Sequence, residues 1–158
     1  MRYVCALLLL VVLAPAARAA SEKVALFPFE LVNTSLEPTR PDETARLQAL
    51  FGQARARLEA AGYTVVDTAP VADEVARASS LRDCNGCELP LAQRLDAGLA
   101  AVGWVQKVSN LILNINLQIR DVASGRLLKA GSVDIRGNTD ESWKRGITYL
   151  IDRRIAAR

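Results

Sequence analysis

The sequence predicts one α/β (α+β) domain. It has a mixed sheet of about five strands, helices packed on that sheet and a C-terminal antiparallel hairpin. Three observations predict this. Strand and helix patterns alternate through the first half of the chain. Residues 111–120 alternate, with one face wholly apolar and the other polar at four of five places, the mark of a long half-buried strand. A turn and a further strand follow at once, then a closing amphipathic helix. Early βα alternation with a late meander argues one mixed sheet.

Residues 23–30 (KVALFPFE) are apolar on both faces, as a doubly covered strand requires, with Pro28 near the end, where a missing N–H is tolerated. Residues 33–40 form a polar loop. Pro41, Asp42 and Glu43 start a helix, with proline in the first turn and acids at the positive end of the dipole. Leu47, Leu50, Phe51, Ala54, Leu58 and Ala61 make its apolar stripe, and Gly62 stops it. Residues 63–66 read as a second strand and 71–78 as a short helix. Residues 79–86 form a polar loop, 88–95 another short helix, and 99–108 a third strand carrying Trp104.

In the alternating strand Leu111, Leu113, Ile115, Leu117 and Ile119 form one face. Ile112, Asn114, Asn116, Gln118 and Arg120 form the other. Asp121 to Gly125 turns the chain into its hairpin partner, 126–136. Asn138, with Glu141 completing a capping box, starts the last helix, whose stripe is Trp143, Ile147, Leu150, Ile151 and Ile155. Burying five such side chains contributes about 10 kcal/mol gross, most of it offset by chain entropy. The helix is therefore expected to be integral to the core.

The first residues read differently. Met1-Arg2-Tyr3 precedes ten uncharged, almost wholly apolar residues, then Pro15 and the small-x-small sequence Ala17-Arg18-Ala19. This is the order of a cleavable secretory signal. A membrane span needs about 20 apolar residues, and the uncharged stretch stops at Arg18. Residues 1–19 are expected to be removed, which leaves 20–158 as a single exported domain expected in the periplasm. Cys5 leaves with the signal and lies too early to be a lipid-bearing cleavage-site cysteine. The signal holds two arginines and no acid, so the formal charge of +3 falls to +1. No Lys/Arg run remains to suggest nucleic acid or an anionic membrane, and no second apolar segment is long enough to span.

The chain has no histidine. That excludes a Ser-His-Asp triad, histidine-ligated zinc and a histidine general base. No GxGxxG, Walker A or GxSxG sequence is present. An enzyme is not expected, nor a cofactor or bound metal. Cys84-Asn85-Gly86-Cys87 is the motif with chemistry in it. An even cysteine count in an oxidising compartment suggests a disulfide. Entry into a helix would lower a thiol pKa, as redox CxxC pairs require. Against a redox role, a polar loop rather than a strand precedes Cys84, Asp83 would raise the thiol pKa, and no aromatic or proline joins the pair. A structural staple worth about 2 kcal/mol for a four-residue ring is the reading preferred over thiol–disulfide exchange. Metal ranks last, since two thiolates supply half of a tetrahedral zinc site.

The second candidate is the polar face Asn114, Asn116, Gln118 and Arg120, extended by Gln106 and Lys107. An ordinary solvated sheet face is the simpler reading, although ladders of Asn and Gln suit a polar surface that a partner later covers. The acid pairs Asp73-Glu74 and Asp140-Glu141 are explained by helix dipoles. Trp104 and Trp143 are expected in the core.

Three stretches carry a resemblance: Cys84 to Leu89 (CNGCEL), Val102 to Leu113 (VGWVQKVSNLIL) and Asp134 to Trp143 (DIRGNTDESW). With KVALFPFE they resemble a family of uncharacterised secreted proteobacterial proteins, a domain of unknown function, over most of the mature chain. Leu95-Asp96-Ala97-Gly98 departs from the family's usual Leu-Gly-Ala-Asp exit. A looser resemblance, in the strand, Asp-x-x-x-Gly turn, strand, helix order, is to the amino-terminal domain of the Tol–Pal translocation protein and to the curli secretion lipoprotein. It implies a module that binds periplasmic or envelope proteins without catalysis. The alternative function is a periplasmic thiol–disulfide protein acting through Cys84 and Cys87.

Overall fold

The computed structural model describes residues 22–156; the expected signal segment, 1–19, lies outside them. One open mixed sheet of six strands organises the chain, with strand order β3-β1-β4-β5-β6 and β2 pairing β4 beyond the end of β1. The strands are β1 (Lys23–Leu26), β2 (Glu30–Asn33), β3 (Thr64–Val65), β4 (Leu99–Lys107), β5 (Ile112–Asp121) and β6 (Leu127–Arg136). The helices are α1 (Pro41–Ala60), α2 (Ala72–Arg77), α3 (Glu88–Arg94) and α4 (Asp140–Leu150), the last continuing through a π turn over Ile151–Ile155. β1, β2 and β3 are parallel to their neighbours, whereas β4, β5 and β6 form an antiparallel meander.

The sixth strand arises because the stretch expected as one strand is broken. Phe27, Pro28 and Phe29 span only Val102 and Gly103 of β4, between the pairs Leu26↔Ala101 and Glu30↔Trp104. Proline cannot donate to the ladder, and the Phe29 ring lies where a Cβ on Gly103 would sit, 2.2 Å from its Cε1. Only glycine permits that approach. The chain then rejoins β4 and runs on to Asn33, further than expected.

Period-2 alternation sorts the sheet into two faces. Val24, Leu26, Leu99, Ala101, Val105, Leu113, Ile115, Leu117 and Ile119 face α1 and α4 in the main core. All five expected stripe residues of the last helix are buried there. From α1, Leu50, Ala54 and Leu58 are buried while Leu47 and Phe51 pack at the edge; Ala61 is exposed, past the helix end. Ala25, Phe27, Ala100 and Val102 face the other way, beneath Val71, Leu81 and Ala92 of the α2–α3 segment. That segment covers half of the second face. The other half stays open.

Three expectations are corrected. Asn138 does not cap α4. Thr139 does, its Oγ1 accepting from Ser142 N–H. The third helical position is thus Ser142, and Glu141 instead pairs with Arg145. Lys107 does not extend the polar face. It follows Gln106 by one residue, points to the opposite side and is fully buried. Leu111 precedes β5 in the β4–β5 turn and is 72% exposed.

Candidate functional site

The open half of the second face is built by register. Glu30 lies opposite Trp104, and Val32 opposite Gln106, across β2 and β4. Trp104 lies opposite Asn116, Gln106 opposite Asn114, and Val102 opposite Gln118. On the far side Asn114 meets Asp134, Asn116 meets Ser132 and Gln118 meets Ala130. Four adjacent strands therefore present one mainly polar surface around a single indole, with Val32 at its β2 edge and Ala130 at its β6 edge. Two of its four amides are tied down. Asn114 Nδ2 donates to Ser132 Oγ (2.8 Å) and Asp134 Oδ1 (2.7 Å). Asn116 Nδ2 donates to Asn114 Oδ1 at 2.5 Å. Gln106 and Gln118 make no side-chain hydrogen bond among the described residues and keep donors and acceptors for a partner.

Trp104, expected in the core, is half-buried on this surface. The Arg82 guanidinium sits 5.7 Å from its ring centroid, within cation–π range. Arg82 is held there by Glu30, whose carboxylate accepts from Ser80 Oγ (2.7 Å) and from the backbone N–H groups of Leu81 (2.6 Å) and Arg82 (3.4 Å). The loop before the cysteines is thus moored across the sheet, with Leu81 buried in the second core.

Cys84 and Cys87 form a disulfide. Asn85 (φ +54°) and Gly86 (φ +103°) are both left-handed. That pair turns the chain back so that the sulfurs meet, and Gly86 accepts the conformation at no steric cost. Cys87 N–H donates to Cys84 Sγ at 3.2 Å. Glu88 follows, only 2% exposed. One oxygen lies 3.5 Å from Arg120 Nε, and the other lies 3.8 Å from Cys84 Sγ. Arg120, placed on the polar face by the sequence pattern, thereby turns toward the disulfide and also donates to Gly125 O in the β5–β6 turn (3.2 Å). Ligand atoms of Cys84, Cys87 and Glu88 lie within 4.8 Å of one another, but the two sulfurs are bonded together.

A buried polar network closes the other end of the molecule, and sequence reading missed it. Lys107 Nζ lies 2.6 Å from Glu43 Oε1, and both residues are fully buried. Asn138 Nδ2 donates to Glu43 Oε1 (2.6 Å) and Asn110 Oδ1 (3.2 Å). Trp143 Nε1 donates to Asn138 Oδ1 at 2.9 Å, and Arg40 N–H to Glu43 Oε2 at 2.9 Å. Burial pushes the Glu43 carboxyl up, but the Lys107 ammonium, the Arg40 N–H and the Asn138 amide outweigh it and hold it below the ordinary glutamate value. The network ties the starts of α1 and α4 to the end of β4. Beside it a groove of about 420 Å³, floored by Leu50 and Trp143, runs between the two helices. The available signal was Lys107 itself, a lysine at an inward position of a strand.

The family model DUF3280, described as "Protein of unknown function (DUF2380)", matches residues 22–155. No curated protein matches the chain by sequence. Among solved structures, the PelC dodecamer from Paraburkholderia phytofirmans is similar at TM-score 0.56 and 14% identity, over 84% of this chain and 86% of that one. The lipoprotein GNA1162 from Neisseria meningitidis is similar at TM-score 0.51 and 21% identity, over 77% and 83%. The LpoB C-terminal domain from Salmonella enterica is similar at 0.50 and 12%, over 77% and 87%. At these identities the likeness is one of fold. No helix among the described residues is long and apolar enough to cross a membrane.

Proposed function

The chain belongs to the DUF3280 family, and from that premise we propose that it is an exported, non-catalytic accessory module of the cell envelope that binds a partner protein on the open half of its sheet. The observation that carries the reading is the surface made by Trp104, Gln106, Asn114, Asn116 and Gln118. It is an array of four amides, two of them tied down and two left with open donors and acceptors, around one half-buried indole framed by Glu30 and Arg82.

Polar ladders of this kind give specificity through hydrogen bonds that are costly to leave unmade. A central aromatic beside an arginine matches the residue types that dominate interface energetics. The leader-like first residues support export, and the fold shared with a lipoprotein supports an envelope setting.

A photo-crosslinking residue placed at Gln106 or Gln118 in growing cells tests this. A discrete protein adduct is expected from those positions and not from Gln48 on the exposed side of α1. Adducts of equal yield from all three positions, or none, would contradict the reading.

A further inference from the structure

We infer that Cys84–Cys87 is an exchangeable disulfide that accepts two electrons from a partner dithiol, and that buried Glu88 sets its poise by favouring the dithiol form. This activity is separate from the binding surface proposed above and does not rest on it.

Glu88 is almost wholly buried, and a buried carboxylate oxygen without a donor is costly. The oxygen turned away from Arg120 faces Cys84 Sγ at 3.8 Å. In the disulfide that sulfur carries no proton, so this oxygen meets no donor among the described residues. Reduction changes this. A Cys84 thiol at the same place carries the missing proton and donates it to Glu88 in a charge-assisted hydrogen bond. The carboxylate is therefore better satisfied in the reduced form than in the oxidised form.

The geometry also orders the exchange. Cys84 Sγ is enclosed by Leu81 O at 3.3 Å, Cys87 N–H at 3.2 Å and Glu88. An incoming thiolate, itself an anion, is repelled from the side that Glu88 occupies, and both cysteines are only half-buried. The partner thiolate bonds to Cys87 Sγ. The Cys84–Cys87 bond breaks, and its electron pair passes to Cys84 Sγ, where the Cys87 N–H steadies it. The partner's second thiolate then attacks its own sulfur in the mixed disulfide and releases Cys87. The partner dithiol becomes a disulfide, and its two protons end on Cys84 and Cys87.

The test equilibrates the purified protein with glutathione buffers of graded ratio and reads the reduced fraction by thiol alkylation. The wild-type pair is expected to pass from oxidised to reduced within that series. Glu88→Gln, which replaces the carboxylate by a neutral amide, is expected to lower the equilibrium constant for reduction at least tenfold, equivalent to about 30 mV for two electrons. A wild-type pair that no glutathione ratio reduces would overturn the exchange. A constant unchanged in a folded Glu88→Gln variant would overturn the role of Glu88.

A second pair of variants tests the order of attack and does not need Glu88 altered. With glutathione disulfide, Cys84→Ser is expected to form a mixed disulfide on Cys87, and Cys87→Ser is expected to leave Cys84 unmodified. Modification of Cys84 in preference to Cys87, or of neither, would overturn the assignment.

Discussion

Replacing Glu43 by Gln should be among the most damaging single changes in the protein. The substitution keeps the shape and the acceptor for the Asn138 amide but removes the charge 2.6 Å from Lys107 Nζ. Lys107 is then a fully buried ammonium whose one remaining carboxylate is the exposed Glu37, 3.8 Å away, too distant and too solvated to replace Glu43. Removing one partner of a buried pair costs about 3–5 kcal/mol, because the uncompensated charge is what destabilises. For a domain of this length each kcal/mol moves the midpoint by about 3–4 °C, so Tm should fall by roughly 9 to 20 °C.

The second half of the test is Glu43→Gln with Lys107→Met. Both charges are then gone, and the amide oxygen still accepts from Asn138, while the amide NH2 replaces the oxygen that accepted from Arg40 N–H. This double variant should lie within about 1.5 kcal/mol of wild type, since an apolar replacement of an ion pair is often near neutral. The coupling energy in that cycle should exceed about 1.5 kcal/mol. Urea and thermal unfolding followed by circular dichroism supply all four values. A single variant within about 1 kcal/mol of wild type, or additive single changes, would refute the reasoning.

Other outcomes follow from the same structure. Because the Glu43 carboxyl is held below its unfolded value, its contribution is fully present above the unfolded pKa and is lost as pH falls through the folded one. Asp121, held down by the Ser124 hydroxyl and N–H, acts in the same direction. Stability should therefore decline below about pH 4, and Glu43→Gln should flatten that decline in acid titrations of the urea midpoint. Gly103→Ala puts a methyl 2.2 Å from the Phe29 ring and should cost about 1–3 kcal/mol through overpacking; an unchanged midpoint would mean that Phe29 moves freely. Thr139→Ala should cost about 1 kcal/mol as a lost cap, while Asn138→Ala, which also strips partners from Glu43 and Trp143, should cost more. Equal losses at the two positions would argue against the cap placement.

The legibility of the sequence divided along periodicity. The β5 alternation and the stripe from Trp143 to Ile155 were readable because one face of each is buried and the other is not, and apart from Leu111, which falls in the turn before β5, both sit where the pattern puts them. The break at Pro28 was only half readable. Proline signalled a weak point, but the bulge also needs Gly103, seventy-five residues away, to receive Phe29. The cap of α4 was misplaced by one residue because Asn138 and Thr139 are both good caps, and the choice between them is made by Glu43 and Trp143, which lie elsewhere in the chain or on the next turn.

The sites follow the same rule. The amides of the polar face could be read from local alternation. The buried Lys107–Glu43 pair could not, because an acid in a first helical turn looks like dipole chemistry and a lysine after glutamine looks like surface. Glu88 was hidden in the same way, as a first-turn acid, although its side chain turns inward to Arg120 and the disulfide. Trp104 lies on the uncovered side because the α2–α3 segment is short and covers only the Val102 end of β4.

The most direct test of the binding surface is the affinity of the crosslinked partner for wild type and for the variant Asn114→Ala, Asn116→Ala, Gln118→Ala. Each lost hydrogen bond is worth about 0.5–1.5 kcal/mol. At least a tenfold rise in Kd is expected, with Tm nearly unchanged. An unchanged Kd in a folded triple variant would contradict the claim that this face is where the partner binds.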